Sequence, residues 1–284
     1  MRWERGRRSD NIEDRRGMRV SGRGLAGGGI GAIVLALVAM YFGVDPAVVL
    51  NQTGNLTPAQ QEQQVTSSPE EERLKEFMSV VLADTEDVWG TLFQASGQRY
   101  QRPKLVLFSG AVESACGFAE AAMGPFYCPA DQKLYLDMSF FNELAQRHDA
   151  PGDFAQAYVV AHEVGHHVQT LLGVSEQVHA ARQRAGAVEG NALQVRMELQ
   201  ADCFSGVWAH HAHKRRQILE PGDTEEALAA AAGVGDDRLQ KQARGHVVPD
   251  SFTHGSSEQR MRWFSHGLQS GDPGQCDTFK AARL

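Results

Sequence analysis

Four cysteines are few for 284 residues, and none stands in a Cys-x-x-Cys pair. That spacing excludes a cysteine-built zinc ribbon and a thioredoxin-like redox centre. Basic charge is scarce over most of the chain. Residues 1 to 24 hold eight arginines against four acids, a local +4, and the formal total of −7 leaves −11 for everything after them. So acidic a body is a poor match for phosphate backbones, and no nucleic-acid partner is expected. No internal repeat is evident, and an apolar content of 42% suffices for one sizeable core.

Charge is absent altogether from LAGGGIGAIVLALVAMYFGV, residues 25 to 44. Twenty such residues give roughly 30 Å of helix, enough to cross a bilayer once. No small-x-small cleavage site is obvious near its end, so a retained anchor is expected rather than a signal peptide. Arginines precede it on one side only. The positive-inside bias therefore predicts a single-pass membrane protein with a cytoplasmic N-terminus and the remainder outside, in the periplasm or at the cell surface. An even cysteine count in an exported domain suggests two disulfides. Three connectivities are possible; Cys116–Cys128 with Cys203–Cys276 is preferred, because the first pair brackets a short segment containing Gly and Pro. The expected organisation is a cytoplasmic basic tail (1–24), a transmembrane anchor (25–44), a polar Gln/Thr/Pro/Asn-rich linker (45–68) and one folded domain (69–284).

Within that domain, Ser68-Pro-Glu-Glu-Glu opens an amphipathic helix through Leu74, Phe77, Met78, Val81, Leu82, Val88 and Trp89. KLVLF (104–108) reads as a strand and FYCPADQKLYLD (126–137) as two strands about a turn, after which Asp137 can cap a helix. Further helices are expected over 153–173, 188–213 and 223–243. Strands come early and helices late, which points to an α+β domain.

The chemistry concentrates in AHEVGHHVQ, residues 161 to 169. On a helix His162 and His166 lie one turn apart on one face, so both imidazoles can reach one metal ion. Glu163 points one residue round, where it can act on a water as general base. A third ligand is needed. The extension His-x-x-Gly-x-x-His is excluded, because positions 169 and 172 are Gln169 and Leu172. Downstream, MELQADCFSGVWA carries Glu198 and Asp202, again one turn apart. One of these carboxylates can bind the metal while the other receives the free ring N–H of a liganding histidine. His167 lies about 100° from His166 round the helix, and His210, His211 and His213 fall near a helix C-terminus; none is expected to be a ligand.

AHEVGHHVQ followed by ELQADCFSGVWA resembles the gluzincin pattern, His-Glu-x-x-His then Glu-x-x-x-Asp. With CGFAEAAMGPFYCPADQKLYLD, VGDDRLQKQ and SFTHGSSEQRMRWF in the same order, the chain from about residue 70 onward resembles the bacterial neutral zinc metallopeptidase family of membrane-anchored peptidases. The resemblance implies a zincin-like fold with an active-site helix and a small sheet. It implies one Zn²⁺ held by His162, His166 and Glu198, with Glu163 as base and Asp202 behind a histidine. FTHGSSEQR is similar to a late segment of membrane-associated gluzincins, which implies that His254 stabilises the oxyanion and Arg260 helps hold the site. Those relatives usually carry proline after the histidine, where this chain has Gly255.

The expected function is zinc-dependent endopeptidase action on protein or peptide substrates; one strand of the FYCPADQKLYLD hairpin is either the exposed edge to which substrate adds as a strand or part of an ordinary core hairpin. The competing expectation is a non-catalytic, zinc-stabilised envelope assembly factor or chaperone with a closed four-ligand site, His254 being the residue able to supply the fourth ligand.

Overall fold

The computed structural model describes residues 1–18 and 67–284. Met1–Arg16 and Ser67–Leu284 form one compact unit. The expected anchor over 25–44 lies outside the described residues, as does the linker up to residue 66. Among the described residues no helix is long and apolar enough to cross a membrane.

The chain enters the fold through a short strand, β1 (Ile12–Asp14), and the long helix α1 (Pro69–Ala95) follows. Ser68 and Glu71 close a capping box at the start of α1, and three acids occupy its first turn. Next come β2 (Lys104–Phe108), β3 (Ala111–Ser114), β4 (Gly117–Glu120), β5 (Phe126–Cys128) and β6 (Lys133–Asp137). A four-stranded sheet runs in the order β1-β2-β6-β5, while β3 and β4 make a separate hairpin. Strands β1, β2 and β6 are parallel, and β5 runs antiparallel to β6 at the sheet edge. The rest is helical: α2 (Phe140–Arg147), α3 (Asp153–Leu171), α4 (Val174–Arg182), α5 (Ala187–Arg216), α6 (Asp223–Gly233), α7 (Asp236–Arg244) and α8 (Ser257–Ser270). The architecture is α+β, as expected.

Helix α5 runs through the middle of the unit. Its residues from Glu198 to Ala209 are all buried, although the window includes Asp202 and Gln200. Trp208 stacks on Phe154 of α3 at 5.8 Å, and Phe204 meets Trp89 of α1 edge-on at 5.4 Å. Phe204 and Trp208 lie one turn apart on α5, so these contacts seat α1 and α3 against the same side of it. Both disulfides are the expected pairs. Cys116–Cys128 ties the β3–β4 hairpin to β5, and Cys203–Cys276 ties α5 to the C-terminal segment.

Three expectations need correction. The basic N-terminal stretch is not a separate tail over Met1–Arg16, because β1 pairs with β2 in register Ile12↔Leu105 and Trp3 is buried against Phe77. Asp137 does not cap α2. Ser139 occupies that position, and the Asp137 carboxylate accepts from the backbone N–H groups of Gly110 and Ser139, joining β6 to the turn after β2. The single helix expected over 223–243 is two, broken at Val234–Gly235 so that Asp236 can start α7 against the loop at residues 253–255.

Helices α3 and α5 cross at Gly165, where a Cβ would come within 3.0 Å of the Ala201 Cα and carbonyl oxygen. Gly165→Ala is therefore expected to destabilise by about 1–3 kcal/mol through overpacking. Gly90→Ala on α1, where a Cβ meets nothing within 4 Å, is expected to stabilise by about 0.5–1 kcal/mol. Urea unfolding of both variants checks the opposite signs; equal effects would remove the crossing as the cause.

Candidate metal centre and cleft

The helical period does what the spacing requires. His162, Glu163 and His166 come from one turn of α3, and Glu198 and Asp202 from the facing turn of α5. Glu198 Oε2 lies 3.2 Å from His162 Nε2 and 3.4 Å from His166 Nε2. One ligand atom from each of these three residues falls within 4.8 Å of the other two, as a single metal ion requires. His162 and Glu198 are buried and His166 is nearly so. Burial alone would drive the Glu198 carboxyl upward, but the two imidazoles beside it hold it well below the usual carboxylate range. The same burial disfavours charged imidazoles, and Asp202 and Glu198 outweigh it in raising His162. The three groups are thus arranged about a point that demands positive charge. Two imidazole nitrogens and a carboxylate oxygen are a donor set that fits zinc.

Each donor is held from behind. His162 Nδ1 donates to Asp202 Oδ1 at 2.8 Å. Asp202 is fully buried and also accepts from Tyr158 Oη at 2.5 Å. Arg260 of α8 clamps it at 2.9 Å through both Nε and Nη2. Burial would raise the Asp202 carboxyl; the guanidinium and His162 lower it instead to about 2. Breaking a buried pair of this kind typically costs roughly 3–5 kcal/mol, because the surviving charge is left without a partner. Arg260 thus holds Asp202 in place and also lines the cleft itself. On the other side His166 Nδ1 donates to Gln169 Oε1 at 2.9 Å. The Gln169 amide in turn donates to Met197 O at 2.7 Å and Gln200 Oε1 at 3.0 Å, and Gln200 donates to Cys276 O at 3.0 Å. Gln194 donates to the second oxygen of Glu198 at 2.8 Å, leaving Oε2 toward the histidines.

Sequence reasoning used Gln169 only to exclude a motif and passed over Tyr158, Gln194 and Asp236. The spacing carried a usable signal for two of them: Gln169 is three residues from His166 and Gln194 four from Glu198, both helical neighbours.

These groups open onto a cleft of about 530 Å³ that holds His162, Glu163, His166, Glu198 and His254 and is walled by Phe126, Tyr127, Phe140 and Val159 among others. Glu163 is half-buried there. His254 is half-exposed and stands outside the three-ligand group. Its loop is gathered by Asp236, whose Oδ2 accepts from the backbone N–H groups of Thr253, His254 and Gly255 at 2.7, 2.6 and 3.0 Å. His254 Nδ1 faces Asp236 Oδ1 at 3.4 Å, and that contact raises the imidazole above its usual range. Gly255 has φ of +90°, which proline cannot adopt. His148 also lines the cleft, its Nδ1 3.0 Å from Gly233 O, while His167, His210 and His211 lie away from it. His167 is buried between Tyr127 and Gln101 O, and burial pushes it down to about 4; His210 and His211 bond the carbonyls of Leu268 and Gly271.

A His-Glu-x-x-His helix and a Glu-x-x-x-Asp helix converging on one point are consistent with a zincin-like metal site. The chain belongs to the family described as "Putative neutral zinc metallopeptidase", whose profile matches residues 1–279. It is 51% identical to "Uncharacterized protein YpfJ" of Escherichia coli (strain K12) over 290 residues, 98% of this chain and 99% of that one. It is 45% identical over 262 residues to "Uncharacterized protein Rv2575" of Mycobacterium tuberculosis (strain ATCC 25618 / H37Rv), 87% of this chain and 86% of that one. No solved structure matches.

Gln169→Ala frees the His166 ring without touching a ligand and is expected to weaken zinc binding about 10–100-fold. Competition against a chromophoric chelator measures it, and unchanged affinity would mean that the ring is oriented by packing alone.

Proposed function

We propose that the chain is a zinc-dependent endopeptidase that hydrolyses peptide bonds in proteins outside the cytoplasmic membrane. One observation carries this reading: the three-ligand group shares its cleft with a carboxylate, Glu163, that the group does not use, and with His254, which stands outside it. A site kept only for structure needs four ligands and no base. Here His254 stands outside the three-ligand group, which favours the catalytic reading over the closed site.

His162, His166 and Glu198 would hold the zinc ion, which would supply Lewis acidity toward a peptide carbonyl and a water. The chain's own residues do the rest. Glu163 accepts the proton of the attacking water and delivers it to the leaving amine. His254, with Nδ1 directed at Asp236, offers its Nε2 proton to the oxygen on which negative charge develops. Asp202 and Gln169 hold the two ligand rings so that neither turns when charge moves. Substrate main chain adds beside β5, the edge strand whose Phe126 and Tyr127 wall the cleft, so binding rests on backbone hydrogen bonds and tolerates varied sequences. The two disulfides support an oxidising compartment for this domain.

The test is cleavage of an unfolded protein by the zinc-loaded full chain beside its Glu163→Gln variant. The variant is expected to keep its zinc and lose on the order of 10²–10⁴ in rate, the usual worth of a positioned base. Full activity in the variant would sink the mechanism.

The alkaline limb of the pH profile reports on His254. Asp236 raises this imidazole, with Glu198 adding to the effect and Arg260 opposing it. Its second N–H is therefore present below the raised pKa and is lost as pH rises through it. Asp236→Asn keeps an oxygen for the loop's N–H groups but removes the charge, so the alkaline limb of kcat/KM is expected to move to lower pH. A limb that stays in place would assign it to another group.

A further inference from the structure

The N-terminal segment is built into the folded unit by a buried charge. Glu86 of α1 is 1% exposed, and among the described residues its close partners come from residues 7 to 11. Arg7 Nη2 donates to it at 2.7 Å, Ser9 Oγ at 2.6 Å and Asn11 Nδ2 at 2.7 Å. The other cation near it, Arg102, stands 3.9 Å away. A carboxylate buried in the middle of a helix is tolerated only where such partners meet it, so α1 carries a socket shaped for this segment.

Other contacts extend the seat along its length. Trp3 is 7% exposed and packs edge-on against Phe77 at 5.2 Å. The backbone N–H of Ser9 donates to Ser79 O, that of Leu105 to Asn11 O and that of Arg15 to Leu107 O, so β1 covers what would otherwise be the bare edge of β2. Glu13 receives Lys133 at 3.0 Å, and Asp14 receives Lys75 at 2.8 Å. The arginines are engaged as well: Arg7 with Glu86 and Asp87, Arg8 with Glu76, and Arg16 with Asp14 and Glu72. Of the charges that the positive-inside argument counts as free, these three are committed to the fold.

We infer that Met1–Arg16 and Ser67–Leu284 occupy one compartment, the two flanks of the uncharged run at 25–44 lying on the same side of the membrane. An arrangement with the N-terminus inside and the domain outside would pull β1 from β2, uncover Trp3 and strip Glu86 of its three near partners. That cost falls on the folded unit itself and is independent of whether the unit cleaves peptides. Together with the two disulfides, it places the N-terminus outside with the domain.

The test uses the full chain in living bacteria with one cysteine added, at exposed Asp10 or at exposed Arg184. A membrane-impermeant maleimide is applied to intact and to lysed cells. Asp10→Cys and Arg184→Cys are expected to label equally in intact cells. Labelling of Arg184→Cys alone, with Asp10→Cys reached only after lysis, would overturn the inference. Protection of both until lysis would uphold the shared compartment and overturn its assignment to the outside, leaving the peptidase chemistry to its own assay. A second measurement needs no variant. Zero-length carbodiimide coupling of the native chain in its membrane is expected to join Lys75 to Asp14 and Lys133 to Glu13. Coupling of Lys280 to the neighbouring Asp277, 2.8 Å away, without either of those long-range links would show the segment undocked and overturn the inference.

Discussion

Two helices must approach closely enough for carboxylates on one to reach imidazoles on the other, and most of this structure serves that approach. The crossing of α3 and α5 rests on Gly165 against the backbone at Ala201, a contact with no room for a side chain. Once it is made, the helical repeat matches the pairs: His162 and His166 on one side, Glu198 and Asp202 on the other, each one turn apart. Burying four titratable groups together is unfavourable unless each charge is answered. Arg260 answers Asp202, and the two imidazole rings answer Glu198. The aromatic contacts around Trp208 and Phe204 then hold the crossing angle.

The supports behind the ligands have different origins, and this bears on how the site tolerates change. His162 is backed by a charge, Asp202, itself fixed by an arginine from a helix late in the chain. His166 is backed by a neutral amide in a relay through Gln200 to the Cys276 carbonyl, and Cys276 is bonded to Cys203 on α5. The disulfide thus stands at the end of the chain of hydrogen bonds that orients a ligand ring. Its reduction would loosen the C-terminal segment and His166 together, while the Asp202 side would keep its ion pair. In an oxidising compartment that coupling carries no risk.

Much of the site was legible because its residues lie on helices at fixed spacing. His162, Glu163, His166, Glu198 and Asp202 are readable as i, i+4 pairs, and the helix boundaries around them follow from apolar periodicity. What could not be read depends on long-range approach. Asp236 lies 18 residues before His254, and its role appears only when α7 starts against the 253–255 loop. The split between α6 and α7, by contrast, falls at Gly233-Val234-Gly235, a local breaker that the sequence does show before Asp236. The β3–β4 hairpin was missed because its strands are four residues each and partly exposed, with little alternation to betray them.

The N-terminal stretch shows a different limit. Arginine counts on either side of an apolar run carry topological information only while those arginines are free, and a sequence does not distinguish a free guanidinium from one paired with a carboxylate 60 or 80 residues away. Here Arg7 and Arg16 find such carboxylates on α1, and the acid that organises the seat, Glu86, looks in sequence like one more polar residue on an amphipathic helix. Three-residue strands such as β1 are likewise too short to announce themselves. Composition places the segment at a membrane surface, whereas pairing places it inside a fold. Where the two disagree, a buried carboxylate with three partners is the stronger constraint, because its energy depends on specific groups being present and a charge bias depends only on their sum.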